Sequence, residues 1–476
     1  MLFNSIEFAI FVPIVFILYW FVTSHNLKLQ NVLLIVASYF YYAWWDWRFL
    51  SLLIFNSFVG YTVGIALSKQ DDPKKRKWLL FTNILISIGL LGYFKYYNFF
   101  VESFVDAFSF FGYKLNARTL NIILPIGISF YTFQILSYAI DVYRRKFEPT
   151  RDIISFFAYT SFFPVLLAGP IERPGNLLSQ LYVKRKFDYD KAVDGMRQIL
   201  WGLFKKMVIA DNCARYVNDI FNNYADYSGS TLLLGAILFA VQIYGDFSGY
   251  SDMAIGTARL FGINLMRNFA FPLFSKSIAE FWRRWHISLS SWLFDYLYTP
   301  ITINRRSWGI MSVHFSLFVT FVVIGLWHGA NWTFIIFGIL QGLWLSLDII
   351  TRKSRKRLKK IIPAIIYDNI SMLITFSFFS FSMIFFKANN IQTAIHYISR
   401  LSSASFISKS QVLSTKLILG ILIFIFVEWI QRDKQHALQI ENIKVPSVVR
   451  WGIYYSIVLV IIMFGSTQQE FIYFRF

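Results

Sequence analysis

The chain has 476 residues, of which 56% are hydrophobic and 20% aromatic, whereas only 15% are charged. A soluble domain carries about 25% charged residues, and apolar runs recur along this whole chain. The composition therefore excludes a soluble protein and indicates a polytopic membrane protein. The formal net charge of +20 does not indicate nucleic-acid binding, because the basic residues form short clusters between apolar segments, where they act as topology signals and lipid anchors.

The chain contains a single cysteine, Cys213. One cysteine excludes an intramolecular disulfide and any cysteine-based metal site, and we predict no metal site from other residues. Cys213 is either a thiol nucleophile or a small residue of the protein core. We favour the core residue, because free cysteine behaves as a small hydrophobe.

Apolar stretches that approach or reach about 20 residues, the length that crosses the hydrocarbon region, recur in chain order. They cover residues 8–22, 29–45, 49–67, 78–94, 120–140, 153–167, 198–210, 231–244, 313–327, 334–350, 366–386, 417–430 and 453–464. They predict an all-α membrane protein with about ten to twelve crossings plus shorter or re-entrant pieces. No loop between them is large enough to fold alone, so residues 1–476 are predicted to form one membrane domain.

Basic clusters predict the orientation of the chain. Residues 74–77, 144–146 and 352–360 are basic, whereas no Lys or Arg precedes the first apolar run. Because basic loops face the cytoplasm, the N-terminus is predicted to be extracytoplasmic. The missing basic n-region also argues against a cleaved signal peptide, so the first helix is expected to be kept. The side of the C-terminus stays open.

Glycine, proline and carboxylates interrupt the apolar sequence at residues 168–175 and 244–252. Irregular backbone at membrane depth is tolerated only where protein buries it or water lines it. Both segments are therefore predicted to break helices around a cavity that penetrates the bilayer. Pro125 and Gly127 are predicted to kink a helix in the same way.

Two histidines flanked by tryptophan stand at the ends of the segment 281–332. His328 follows the apolar run and Trp327, with Gly325 and Gly329 on either side and Asn331 nearby. Small residues let substrate or another backbone approach the ring closely, and imidazole suits removal of a hydroxyl proton at neutral pH. A neutral histidine that bonds across helices as a packing element explains the same residues, and the sequence leaves both interpretations open.

His286 has a different environment, because Arg283 and Arg284 precede it and Trp282 and Trp285 flank it. Two arginines in a buried pocket would anchor phosphate groups. Tryptophan with arginine is equally typical of a membrane interface. The residues by themselves do not separate a functional role from lipid anchoring.

Other chemistries are excluded or left as alternatives. The chain has no G-x-S-x-G elbow, P-loop, H-E-x-x-H motif or dinucleotide glycine fingerprint. Asp246 and Asp252 are paired carboxylates that would line a polar cavity, relay protons or hold the irregular turn by hydrogen bonds, and the last role is favoured.

Several motifs together resemble the membrane-bound O-acyltransferase (MBOAT) family, and within it the bacterial alginate O-acetyltransferase branch. The resemblance spans nearly the whole chain, and the matching stretches are residues 40–45, 124–134, 168–174, 244–252, 281–292, 325–332 and 470–474. It implies an all-α bundle around a central tunnel, with His328 as the catalytic histidine and His286, the second signature position, as a further catalytic residue.

The resemblance also implies an activity. An acyl group, most simply acetyl from acetyl-CoA or an acyl carrier thioester, would enter from the cytoplasm and pass to hydroxyl groups of an exported polysaccharide. An extracytoplasmic partner protein would take part, in the bacterial cell membrane. D-alanyl transfer toward teichoic acid and a transport function are the alternatives.

Roles for the neighbouring residues follow from this scheme. Arg283 and Arg284 would hold a phosphate of the donor, and Asn331 or a backbone N–H would stabilise the oxyanion. Trp327 and Asp246 are further candidates for the substrate path. No bound cofactor is expected.

Overall fold

The structure is a computed structural model that describes residues 1–113, 115, 119–402, 404–408, 410–412, 414–440, 446–465 and 469–474. Across these ranges the regular secondary structure is helical and no β-strand occurs. The predicted all-α class is confirmed. The contacts divide the chain into two compact units, residues 1–192 with 257–266 and residues 193–256 with 267–476. That residues 1–476 form one membrane domain stays a prediction.

The first unit begins with helices whose first turns carry side-chain caps. Ser5, Asn26 and Asp152 each accept a hydrogen bond from a backbone N–H of the following helix, which satisfies a donor that the helix itself leaves open. Its helices are α1 (Ile6–Ile17), α2 (Leu27–Asp46), α3 (Leu50–Ser68), α4 (Pro73–Leu91), α5 (Tyr97–Phe110), α6 (Ile128–Tyr143), α7 (Ile153–Ser161), α8 (Phe163–Leu166) and α9 (Ser179–Leu181).

Helix α10 starts at the end of the first unit, and the remaining helices belong mainly to the second. They are α10 (Tyr189–Phe204), α11 (Asp211–Asn222), α12 (Gly229–Leu260), α13 (Ile278–Arg284), α14 (Ile287–Leu293), α15 (Thr299–Asn304), α16 (Ile310–His328), α17 (Trp332–Ile350), α18 (Arg352–Ile361), α19 (Ala364–Lys387), α20 (Ile391–Leu401), α21 (Thr415–Ile430) and α22 (Ser447–Phe464). Cys213 is fully buried in α11, as expected for a core residue.

Seven helical stretches of the described chain are long and apolar enough to cross a membrane. They are Leu27–Ser68, Pro73–Phe110, Gly229–Leu260, Ile310–His328, Trp332–Ile350, Ala364–Lys387 and Ser447–Phe464. The first two each contain two helices, and Ile6–Val22 is a shorter apolar helix. A multi-pass membrane protein is thereby confirmed, whereas the number of ten to twelve crossings stays a prediction.

The predicted helix break at residues 244–252 is wrong, because α12 runs without interruption through this segment. Its glycines serve close packing instead. A Cβ atom at Gly249 would lie 2.8 Å from the carbonyl oxygen of Gly202 in α10, and one at Gly245 would lie 3.2 Å from the carbonyl oxygen of Lys205. Small residues let two helix backbones approach closely in a membrane protein, so glycine here indicates a helix contact.

The predicted kink at Pro125 and Gly127 is also wrong, because the helix begins only at Ile128. Gly127 precedes it with a φ of 77°, a conformation that glycine adopts without strain. The segment 168–173 is irregular as predicted. Its Glu172 is fully buried and accepts hydrogen bonds from Asn176 Nδ2 at 2.6 Å and from the backbone N–H of Met266 at 2.7 Å. Burial raises the pKa of Glu172 to about 7.

The glycine contact between α10 and α12 predicts a position-specific effect on stability. We expect Gly249→Ala to lower the melting temperature of the detergent-solubilised protein, because overpacking costs about 1–3 kcal/mol. Gly452→Ala is the matched control, since Gly452 lies within α22 and a Cβ atom added there would meet no heavy atom within 4 Å. Alanine at position 452 should leave the free energy of unfolding unchanged or raise it by up to about 1 kcal/mol. Equal melting temperatures for both variants would contradict the packing role of Gly249.

Candidate active site

His328 is the last residue of α16 and is only 3% exposed. Its burial depends on the close contact between α16 and α17. A Cβ atom at Gly325 would collide with the carbonyl oxygen of Phe334, and one at Gly329 would collide with the Phe334 ring. The two glycines thus let α17 pack against the end of α16 beside this histidine, whereas close approach of a substrate to the imidazole ring stays a prediction.

Aromatic rings surround His328. The centroid of its imidazole lies 4.9 Å from Trp327, 5.0 Å from Phe386, 5.7 Å from Tyr473 and 5.9 Å from Phe337. These rings come from α16, α17, α19 and the C-terminal segment, so the fold encloses the imidazole from several elements. Such an enclosure keeps bulk water away, which strengthens electrostatic effects on a reacting group.

His286 lies between α13 and α14 and is fully buried. Its backbone has a φ of 42° and a ψ of 54°, a left-handed conformation that is uncommon outside glycine. The surrounding structure must impose it, and such residues concentrate at functional sites. The imidazole centroid lies 4.6 Å from Phe247 and 5.5 Å from Trp327. Trp327 therefore contacts both histidines and joins them in one aromatic cluster.

The segment that carries His286 is tied to the helices around it. Trp282 of α13 donates a hydrogen bond from Nε1 to Gln341 of α17 at 3.1 Å, and Gln341 donates to Ser382 of α19 at 2.8 Å. Trp285 stacks on Phe281 with centroids 5.3 Å apart. The two tryptophans are therefore internal anchors of the protein, whereas the sequence alone made a membrane interface an equal alternative.

One face of His286 is polar. Its Nδ1 lies 3.0 Å from Oδ1 of Asn268, which also accepts the hydroxyl of Ser288 at 2.9 Å. The other ring nitrogen, Nε2, is buried and has no hydrogen-bond partner among the described residues. His286 lies outside the apolar spans, and burial lowers its pKa to about 3, so the ring is neutral at physiological pH.

The side chain of Asp246 anchors the C-terminal segment. Its carboxylate accepts the backbone N–H of Ile472 at 2.8 Å and pairs with Lys206 at 2.7 Å. Lys206 also donates to the carbonyl oxygen of Gln469 at 3.1 Å and pairs with Asp211 at 2.8 Å. Two contacts thus fix the segment 469–474 against α12.

This anchoring brings a residue into the site that the sequence did not single out. The ring of Tyr473 lies 4.3 Å from Phe247 and 5.9 Å from Trp327, beside His328. Its hydroxyl oxygen is buried and has no hydrogen-bond partner among the described residues. Residues 470–474 carried part of the family resemblance, yet nothing in their spacing indicated that they lie beside a histidine more than a hundred residues earlier in the chain.

Lys205 and Lys206 are two further residues that the sequence did not single out. Both lie in a π-helical turn, Lys205–Ala210, and both are buried. Lys205 pairs with Asp252 at 2.5 Å, and Gln198 donates to the same carboxylate at 2.8 Å. The carboxylates of α12 therefore form ion pairs and hydrogen bonds with residues outside the helix, and the irregular turn that they were predicted to hold does not occur.

The arginines lie apart from the histidine cluster. Arg284 pairs with Glu280 at 2.8 Å and lines a cavity of about 320 Å³. Lys276 and Arg432 line the same cavity, whereas neither histidine does. Arg283 is exposed. The structure thus separates the predicted site residues into a histidine cluster and a charged cavity.

Asn331 has a structural role in the described structure. Its Oδ1 caps α17 by accepting the N–H of Thr333 at 3.0 Å, and its Nδ2 donates to the carbonyl oxygen of Asn389 at 2.9 Å. Its amide would have to leave Asn389 in order to stabilise an oxyanion. That role stays a prediction.

Comparison with known proteins defines the class of this chain. The family model of MBOAT, the membrane-bound O-acyltransferase family, matches residues 39–388. The chain belongs to this family and is an O-acyltransferase. The matched range contains His286, Trp327 and His328.

Individual relatives resemble it over most of its length. The chain is 42% identical over 353 residues to a probable alginate O-acetylase AlgI of Pseudomonas putida, covering 73% of this chain and 70% of the relative. It is 34% identical over 425 residues to a peptidoglycan O-acetyltransferase of Helicobacter pylori, covering 83% and 78%. A teichoic acid D-alanyltransferase of Bacillus subtilis is 28% identical over 283 residues, covering 56% and 69%.

The placement of Tyr473 predicts a loss of activity without a loss of fold. A buried polar group without a partner calls for a functional explanation, so we expect Tyr473→Phe to lower acyl transfer at least about tenfold, the equivalent of 1.4 kcal/mol, while the melting temperature changes little. Acyl transfer would be measured with purified protein and in cells, and the melting temperature with purified protein.

Tyr397→Phe is the matched control. Tyr397 is fully buried and donates its hydroxyl to the carbonyl oxygen of Leu232 at 2.6 Å, so its substitution should lower stability and leave the activity of folded protein unchanged. Full activity of Tyr473→Phe would show that the tyrosine hydroxyl has no part in the reaction.

Proposed function

We propose that this protein transfers an acetyl group from a thioester donor on the cytoplasmic side of the bacterial cell membrane to hydroxyl groups of an exported polysaccharide. The observation that carries this proposal is the enclosure of His328 and His286 around Trp327 in a membrane-bound O-acyltransferase. Relatives named for O-acetylation of alginate and of peptidoglycan support acetyl as the group and a cell-envelope polysaccharide as the acceptor.

His328 acts as the general base in this proposal. The imidazole takes the proton of the attacking hydroxyl, whose oxygen forms a bond to the thioester carbonyl carbon. The tetrahedral intermediate then breaks its C–S bond, and the leaving thiolate takes the proton back from His328. An ester and a free thiol result, with no net release of protons. A neighbouring N–H group would stabilise the oxyanion, and the engaged amide of Asn331 favours a backbone N–H over Asn331 itself.

The charged cavity beside Arg284 supports a phosphate-bearing donor, either acetyl-CoA or an acyl carrier thioester. Lys276, Arg284 and Arg432 bring three cationic groups to one cavity, and Glu280, Asp368 and Asp433 line it as well. Lys276 pairs with Asp368 and Arg284 with Glu280, so a phosphate would have to compete with these carboxylates for the guanidinium groups, which bind phosphate in a bidentate manner. The first turns of α19 line it, and α19 follows the basic helix α18, which has no buried residue. Because basic segments face the cytoplasm, this position agrees with a cytoplasmic donor.

The same topology signals support an N-terminus outside the cytoplasm. An exported polysaccharide is reached from the outer face, either directly or through an extracytoplasmic partner protein that relays the acyl group. D-alanyl transfer toward teichoic acid is the second candidate, supported by the relative in Bacillus subtilis. A transport function finds no support in the family to which the chain belongs.

Substitution of His328 tests the proposed reaction. His328→Ala should lower ester-linked acetyl on the cell-surface polysaccharide by about 100-fold or more, the range that loss of general acid–base catalysis gives. Ester-linked acetyl would be measured by NMR of extracted polymer, with membrane insertion checked by immunoblot.

His314→Ala is the control, because His314 lies on the same helix, is partly exposed and has no assigned role. Undiminished acetylation in His328→Ala would refute the catalytic role of this histidine. Detection of D-alanine esters in place of acetyl esters would transfer the assignment to the second candidate.

Substitution of Arg284 tests the donor site. We expect Arg284→Ala to raise the KM for the thioester donor by about tenfold, because a charge-assisted phosphate contact contributes roughly 1.5–3 kcal/mol, with a smaller effect on kcat. Glu280→Gln is the control, since it removes the partner of Arg284 at 2.8 Å and leaves the guanidinium in place. An unchanged donor KM in Arg284→Ala and in Arg283→Ala would remove both arginines from donor binding.

A further inference from the structure

Asn268 is a fully buried polar residue in the non-helical segment between α12 and α13. Its Oδ1 accepts hydrogen bonds from Ser288, at 3.3 Å from the backbone N–H and at 2.9 Å from the hydroxyl. Its Nδ2 donates to the hydroxyl of Ser251 in α12 at 3.0 Å. Both polar atoms of this amide are therefore engaged inside the protein, which is how a buried amide is stabilised.

The partners of Asn268 determine which of its two terminal atoms is the oxygen. A backbone N–H can only donate a hydrogen bond, so the atom that faces the N–H of Ser288 must be Oδ1. The same atom lies 3.0 Å from Nδ1 of His286. Since an amide oxygen only accepts, Nδ1 of His286 must carry a proton. In a neutral imidazole the other nitrogen, Nε2, then has a free lone pair.

Asn268 also supports the backbone of His286. The carbonyl oxygen of Asn268 accepts the N–H of Ile287 at 2.9 Å, and the N–H of Ala270 donates to the carbonyl oxygen of Arg284 at 2.9 Å. These two bonds pair the segment 268–270 with residues on both sides of His286. They brace the left-handed backbone conformation at His286, which a histidine would not keep without such support.

We propose that Asn268 is a positioning residue that holds His286 as the Nδ1–H tautomer, so that Nε2 presents a lone pair to an N–H group of the thioester donor arm. The assignment rests on the proposed acyl transfer, in which the thioester donor brings such a group. Coenzyme A and acyl carrier proteins share a pantetheine arm whose amide N–H lies two carbons from the sulfur. The cluster around Nε2 is otherwise aromatic, with Phe247 and Trp327 in contact with the ring.

This arrangement divides the work between the two histidines. A hydroxyl group has a single proton, so two bases are not needed on the acceptor. His328 takes that proton, and His286 accepts a hydrogen bond from the donor. A buried acceptor that matches a polar group of the correct substrate contributes binding and orientation.

The test uses the full-length protein in inside-out membrane vesicles supplied with labelled acetyl-CoA at varied concentration. Asn268→Leu removes the acceptor at similar volume. We expect kcat/KM for acetyl-CoA to fall by about 10- to 100-fold, the range found when the hydrogen-bond partner that orients a metal-binding histidine is removed. Asn268→Asp keeps an acceptor oxygen and should recover part of this loss. Ser251→Ala is the control, because it removes only the contact to Nδ2.

A double-mutant cycle separates positioning from general destabilisation. If Asn268 acts through His286, adding Asn268→Leu to His286→Ala should cause no further loss, whereas independent effects would add. Additive losses, or Asn268→Leu with wild-type kcat/KM, would overturn the role of Asn268 while leaving the proposed function intact. Wild-type vesicles that transfer no acetyl group from acetyl-CoA or from an acetylated acyl carrier protein would overturn both.

Discussion

A buried lysine between two carboxylates is the constraint on which the site depends. Lys206 lies between Asp246 and Asp211, and all three side chains are almost entirely withdrawn from solvent. Removing one partner of such a group costs about 3–5 kcal/mol, because the remaining charge is left buried. The same lysine and Asp246 bind the backbone at residues 469 and 472. A charge arrangement inside the second unit thereby determines where the end of the chain lies.

The consequence is a site assembled from distant parts of the sequence. Tyr473 lies in the C-terminal segment, Trp327 and His328 lie at the end of α16, and His286 lies in the segment before α14. The rings of Tyr473, His328 and His286 all contact Trp327. Trp327 is therefore the residue that these three side chains have in common as a neighbour. An aromatic enclosure of this kind restricts water and holds rings at defined distances, which suits a reaction in which a thioester must meet a hydroxyl and not water.

The sequence predicted the helical class, the multi-pass character and the grouping of His286 with His328, although the grouping came from family resemblance and not from spacing. It was wrong at residues 244–252, where glycine and aspartate were expected to break a helix. In α12, Gly249 packs against the backbone of α10, and the aspartates form ion pairs with Lys205 and Lys206. A residue's helix preference is a weak guide where a tertiary partner supplies what the isolated helix lacks.

What the sequence determined by itself is what depends on composition and on local chemistry. Apolar length sets which segments can cross a membrane, and the family motifs identify an O-acyltransferase. Only the tertiary structure decided that Arg284 belongs to a charged cavity apart from the histidines, that Asn331 caps a helix, and that Tyr473 and Asn268 face the two imidazoles. The physical reason is that these roles are pairwise contacts between residues far apart in the chain, and periodicity carries no information about which distant partner a buried polar group will find.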